Sequence, residues 1–183
     1  SSNPELNVVH VQEGYRALTL IGYILDPWEP AQGDEEILRR IMLSTSAPNA
    51  DFFRTLDRFG GRWILLARFG DKYTLVNDAL GLRQLFYVFD RNMPFWCASQ
   101  CGLLAKQLGL TVSADASDFM ASPEFRAHKE YRWPGAATPF AELRHLLPNH
   151  CLELPTRSER RFWPVAPIEK HSAATSALTD RCR

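Results

Sequence analysis

Trp63-Ile64-Leu65-Leu66-Ala67-Arg68-Phe69-Gly70-Asp71-Lys72-Tyr73-Thr74-Leu75-Val76 is the stretch that decides the fold class. Two β-rich runs, 63–69 and 73–76, flank Gly70-Asp71, a pair suited to a tight hairpin because glycine takes the positive φ of its first position at no steric cost. The pattern carries on through 84–89, a turn at Asn92-Met93, and 95–98. Together these predict an antiparallel meander rich in aromatic residues, and hence a sheet-based core.

Working upstream, residues 16–25 mix β-branched, aromatic and leucine side chains and stop at Asp26-Pro27, where proline ends ladder pairing. They read as a strand, and Gly22 within it implies a bend or the close approach of other atoms. In 34–43 the positions Ile37, Leu38, Ile41 and Met42 share one helical face, with acids in the first turn and Arg39-Arg40 later, so the helix macrodipole is matched. A second helix is expected over 49–59, stopped by Gly60-Gly61.

Downstream, the sequence predicts a helix at 100–108, a short helix opening at 113–117, a loop over 124–139, and a last strand pair at 151–154 and 161–163. Helices lie between runs of hairpin strands instead of alternating with them one for one. That argues for an α+β sandwich and against a doubly wound parallel sheet.

The chain has 183 residues, 45% of them hydrophobic, which suits one well-buried core. Its 21 basic and 21 acidic side chains cancel, so no net field draws it to nucleic acid or to an anionic membrane. No apolar run approaches the roughly 20 residues that cross a bilayer. Cys97, Cys101, Cys151 and Cys182 have neither C-x-x-C spacing nor the density of a disulfide-stapled domain, and read as free thiols in a reducing, cytoplasmic setting. The last residues, 176–183, look like a helix interrupted partway. The expected organisation is one domain over 1–165, then a linker and the start of a further domain over 166–183.

Several ordered stretches carry a resemblance. Leu75-Val76-Asn77-Asp78-Ala79-Leu80-Gly81-Leu82-Arg83-Gln84-Leu85-Phe86-Tyr87 is similar to an L-x-R-D-x-x-G-x-R-P-L-Y-Y motif, with Asn77 for arginine and Gln84 for proline. Ile21-Gly22-Tyr23-Ile24-Leu25-Asp26 stands where N-G-E-I-Y-N is expected. Asp34-Glu35-Glu36 occupies the place of an S-D-x-E helix start, followed by Phe53-Arg54-Thr55-Leu56-Asp57. Trp96-Cys97-Ala98-Ser99-Gln100 with Leu103-Leu104 is similar to F-A-S-E-x-K-A-L. Leu143 to His150 is similar to I-x-x-L-P-P-G-H, and Arg160-Arg161-Phe162-Trp163-Pro164 to R-R-Y-W-x. In this order they resemble the class II glutamine amidotransferase domain that opens asparagine synthetases and, in altered form, β-lactam synthetases. The resemblance spans 18–164 and implies a four-layer αββα sandwich of antiparallel sheets of the Ntn-hydrolase type.

It also implies a chemistry whose parts can be checked one by one. Members use the thiol of an N-terminal cysteine with its own α-amine as base. Here no cysteine precedes Cys97, and Ser1 is only a formal substitute. The oxyanion hole of N-G-E uses the asparagine side chain and the glycine amide; Ile21 cannot donate, while Gly22 keeps its amide. The arginine of an R-G-P-D-like segment has no counterpart, Arg16 being the sole arginine in 5–17. The aspartate that holds the substrate amine is replaced by Gly60, before Gly61.

No catalytic residue is therefore assigned, and Gly22 and Gly61 are the remnant of a glutamine pocket. The expected function is a glutaminase-like domain, degenerate in glutamine hydrolysis, of an ATP-dependent amide ligase. The alternatives are an active glutaminase whose nucleophile lies outside this chain and a non-enzymatic interaction module.

The remaining chemical residues have plainer readings. Asp78 and Arg83 read as a packing and hairpin-orienting pair. His145 and His150, like His10, His128 and His171, read as surface or capping residues and not as metal ligands. Residues 128–133 mix charge and aromatics and read first as a solvated loop, with an interface for a nucleotide or partner as the second reading. No cofactor is expected in this domain; ATP and magnesium would belong to a synthetase domain after Arg183, the expected partner, and homo-oligomerisation stays open.

Overall fold

The computed structural model describes residues 6–44, 50–127 and 133–164. It is an α+β structure with two antiparallel sheets. The chain runs β1 (Val8–Glu13), β2 (Arg16–Leu25), α1 (Asp34–Ser44), α2 (Ala50–Leu56), β3 (Gly60–Phe69), β4 (Lys72–Asn77), β5 (Phe86–Val88), β6 (Cys97–Ala98), α3 (Cys101–Leu108), α4 (Ala114–Ala121), α5 (Pro123–Ala127), β7 (Leu143–His145), β8 (His150–Glu153) and β9 (Ser158–Arg161). The large sheet has the order β1-β2-β3-β4-β8-β9 and the small one β6-β5-β7.

The deciding hairpin forms as expected: Phe69 pairs with Lys72 across Gly70-Asp71, and Gly70 sits at φ +63°. β2 has the expected limits and pairs along its whole length with β3, from Arg16 opposite Phe69 to Leu25 opposite Gly60. The meander, however, does not continue in one sheet. The outer neighbour of β4 is β8, with Val76 opposite Cys151, and β5 belongs to the small sheet between β6 and β7.

The reason is visible in the alternation of side chains. Trp63, Leu65, Ala67 and Phe69 of β3 join a cluster with Ile37, Leu38, Ile41 and Met42 of α1 and with Phe52, Phe53 and Leu56 of α2. From the opposite face of β3, Ile64 and Leu66 join Tyr87, Leu85 and Leu146 from the small sheet and its flanks. A third cluster packs Leu104 and Ala105 of α3 against Phe86, Val88 and Leu143. Period-2 alternation thus feeds two different cores from one strand, and β3 reads as an apolar run over 63–67 because both its faces are largely covered there.

Packing, not propensity, holds the helices. An isolated 11-residue helix such as α1 is marginal in water. Its four buried side chains contribute gross transfer free energies of about 1.5–3 kcal/mol each. Arg16 ties the same helix down by donating to the Met42 carbonyl at 3.0 Å.

Other limits differ from expectation. α2 ends at Leu56, and Phe59 is buried in the turn beyond it. The expected 124–139 loop begins with α5, where Pro123 takes the first helical turn and the Ser122 hydroxyl accepts from Phe125 N–H at 3.2 Å. The last strands lie at His150–Glu153 and Ser158–Arg161, earlier than the pair expected at 151–154 and 161–163. Strands β1 and β7 carried no sequence expectation. The interrupted helix at 176–183, the 166–183 segment and most of 128–133 fall outside the described residues. No described helix is long and apolar enough to cross a membrane.

Candidate functional site

Two regions bear on function. The first is the glycine pair. Gly22 stands opposite Trp63, and Gly61 opposite Ile24, on the paired strands β2 and β3. Their φ values, +114° and +110°, disfavour any L side chain. A methyl on Gly22 would overlap the Arg62 carbonyl and meet Arg83 Nε at 2.9 Å, and one on Gly61 would overlap the Tyr23 carbonyl. The close approach expected at Gly22 is thus the approach of the neighbouring strand's backbone.

The polar groups here are already occupied. Gly22 N–H donates to Asn7 O at 2.9 Å, and the Asn7 side-chain amide donates to Gly22 O at 3.2 Å and to Asp34 Oδ2 at 2.7 Å. Asp34 Oδ1 accepts from Ile24 N–H at 2.9 Å. The amide that an oxyanion hole would need points at a backbone carbonyl. Ile21, at the expected asparagine position, packs between the sheets. Two arginines border the region: Arg62 Nε donates to Leu82 O at 3.1 Å, and Arg83 Nε reaches Arg62 O at 3.5 Å.

Asp78 is buried, and its carboxylate gathers backbone donors. Oδ1 accepts from Leu80 N–H at 3.2 Å and Leu82 N–H at 2.9 Å, and Oδ2 from Arg83 N–H at 2.9 Å and Trp63 N–H at 3.4 Å. The expected Asp78–Arg83 partnership is with the Arg83 main chain, and it shapes the 78–83 turn. Asp26 organises the neighbouring end in a similar way. Burial pushes its carboxyl up, but Trp28 N–H, Arg40 and Arg58 outweigh burial and hold it below the ordinary carboxylate value. The same two guanidiniums lie over the Phe59 ring at 5.6 and 5.4 Å. Nothing in the sequence patterns pointed to Asp26.

The second region is a cavity of about 710 Å³ against the small sheet on its α3 side. Its apolar walls are Leu80, Phe86, Trp133, Pro139, Leu147 and Pro148, and its polar ones Gln84, Cys101, Thr138 and His145. No charged side chain lines it among the described residues. Thr138 is engaged, its hydroxyl lying 2.9 Å from Phe140 O and 3.0 Å from Leu143 O. Burial pushes the Cys101 thiol up, and a hydrogen bond with Thr138 only partly opposes this, so it is a neutral thiol at pH 7 and a weak nucleophile.

His145 is different. Its ring stacks on Phe86 with centroids 4.8 Å apart and planes 25° from parallel. Its Nε2 is buried with no hydrogen-bond partner. Burial pushes its pKa down, against the pull of Glu159, so at pH 7 the imidazole is neutral. The surface or capping reading made for both histidines does not fit His145, whereas His150 Nδ1 lies 2.8 Å from Pro148 O in its own turn.

The described cysteines do not approach the glycine pair's chemistry. Cys151 is buried in the helix-side core, which pushes its thiol up to about 11, and Cys97 and Cys101 lie at β6 and α3. Among the described residues, no three His, Cys, Asp or Glu side chains converge on a metal position. Comparison of the sequence with protein-family models and with curated proteins gives no match.

Proposed function

We propose that this chain is a glutaminase-like domain of an asparagine-synthetase-like, ATP-dependent amide ligase, and that it does not hydrolyse glutamine. The fold side of the proposal is an αββα sandwich of the Ntn-hydrolase type. It is supported by the ordered motifs over 18–164 and by three apolar clusters that follow one another from α1 and α2, through both sheets, to α3.

The loss of hydrolysis rests on one observation above the others: the Gly22 amide donates to Asn7 O. An oxyanion developing at that point would find no donor on Gly22 without displacing a backbone hydrogen bond, and Ile21 offers none in exchange. Gly22 and Gly61 then persist because β2 and β3 approach too closely for any side chain, which is reason enough to keep them without a substrate. The domain's role would be to support and regulate a synthetase domain, its partner, which would supply ATP and magnesium chemistry.

The test is glutamate release from glutamine by the purified chain, beside a version carrying Ser1→Ala and Ser2→Ala. No release above the blank is expected from either. Release abolished by the double substitution would make Ser1 a nucleophile and overturn the proposal.

A further inference from the structure

We propose that the chain forms a two-fold symmetric dimer through the outer edge of β1, joining two large sheets into one continuous antiparallel sheet. The large sheet ends on β1 at one side and on β9 at the other, and among the described residues no strand lies beyond either. A free edge invites another strand, and proteins blunt it with charge, proline, a bulge or short length. β9 is blunted in this way, its four residues being Ser158-Glu159-Arg160-Arg161. β1 is not. Its six residues, Val8-Val9-His10-Val11-Gln12-Glu13, hold three valines, one carboxylate and no proline, and they pair with β2 in unbroken register.

That register decides which backbone groups are free. Gly22 N–H donates to Asn7 O at 2.9 Å, so Asn7 and Gly22 form a hydrogen-bonded pair and, by the antiparallel alternation, so do Val9, Val11 and Glu13 with their partners on β2. Val8, His10 and Gln12 therefore turn their N–H and C=O groups outward, and all three are exposed.

These outward groups fit a second copy of the same strand. With the two-fold axis at His10, the two strands run antiparallel and exchange about six backbone hydrogen bonds. Val8 stands opposite Gln12 of the second copy, Val9 opposite Val11, and Asn7 opposite Glu13, so no two carboxylates meet. Val11 is buried in the helix-side cluster and Val9 packs against it, so the Val9–Val11 pairs carry that core across the axis. A strand from another protein would need only the backbone groups; the second copy also matches side chain to side chain over 7–13, and this selects it. One strand from each copy is a small interface, so the association is weak and reversible. It is independent of the glutaminase proposal, in which Val8, His10 and Gln12 take no part.

Sedimentation velocity of the full chain at about pH 8, from about 5 to about 500 µM, is expected to show monomer–dimer exchange with a dissociation constant on the order of 100 µM. His10→Pro removes an outward N–H that β2 does not use, and should leave a monomer at every concentration with the far-ultraviolet circular dichroism unchanged. Val8→Glu with Gln12→Glu sets carboxylates opposite each other twice and should weaken the dimer about tenfold. Val8→Lys with Gln12→Glu sets opposite charges there and should return it to about the parent's affinity or tighter.

A chain that stays monomeric throughout, a dimer that persists in a folded His10→Pro variant, or equal affinity in the two double variants would each overturn the assignment. Should His10→Pro fail to fold, the charge comparison still decides both the strand and its register.

Discussion

The glycine pair and the cavity differ in one physical respect that matters more than their residue content. At the glycine pair the β2 and β3 backbones approach so closely that side chains are excluded, and the Gly22 amide and carbonyl both have partners. At the cavity the walls stand apart, and a buried nitrogen has none. Satisfied groups hold a fold together; an unsatisfied one sealed from solvent weighs against it. The resemblance directs attention to the first region, whereas the open space lies at the second.

The largest expected effect tests whether the glycine pair is structural. Gly61→Ala places a methyl against the Tyr23 carbonyl at a φ that L residues avoid, and should cost about 3 kcal/mol or more in urea unfolding. A loss under about 1 kcal/mol would mean the strands can part, and would reopen the case for a pocket there.

Next in size is Asp78→Ala, which strips the 78–83 turn of the acceptor for its backbone donors and should cost about 2–4 kcal/mol.

His145→Phe isolates the effect of the unpaired nitrogen. Removing an unpaired buried nitrogen while keeping the stack should raise stability by about 1 kcal/mol. A pH effect accompanies it. The pKa of His145 is depressed in the folded state, so the unfolded chain binds more protons, and stability declines as pH falls through the ordinary histidine value near 6.5. Thermal melts between about pH 7.5 and 5.5 should show a shallower decline in the variant than in the parent chain.

The smallest effect is expected from Arg39→Ala, which removes an exposed pair with Glu35 at 2.7 Å and should change stability by less than about 0.5 kcal/mol. It serves as the baseline for the other three.

Local pattern made part of this legible in advance. The Gly70-Asp71 hairpin, β2 and α1 each write their period and their punctuation into about a dozen consecutive residues, and Gly22, from its place within a strand, implies a bend or a close approach, of which the structure shows the second. What escaped is non-local. That β8, and not β5, lies beside β4 depends on a pairing between Val76 and Cys151 that no short window contains. β1 buries only Val11 among its six residues, too little to register as a period. α5 reads as part of the 124–139 loop because five residues with one buried apolar side chain, Phe125, are too few to write a helical period. The cavity escaped for a related reason: the 80–86 segment, α3, the 133–139 segment and the 145–148 turn meet only in the folded chain, and His145 looks unremarkable until Phe86 lies across it.

β3 is the wall shared by two cores, sending Trp63, Leu65 and Ala67 one way and Ile64 and Leu66 the other. Neither core can open without exposing the back of the other. Amide hydrogen exchange in β3 should therefore proceed only through global unfolding, while α4 and α5, whose residues belong to none of the three clusters, exchange by local fluctuation. A protein built on such a strand melts as a unit.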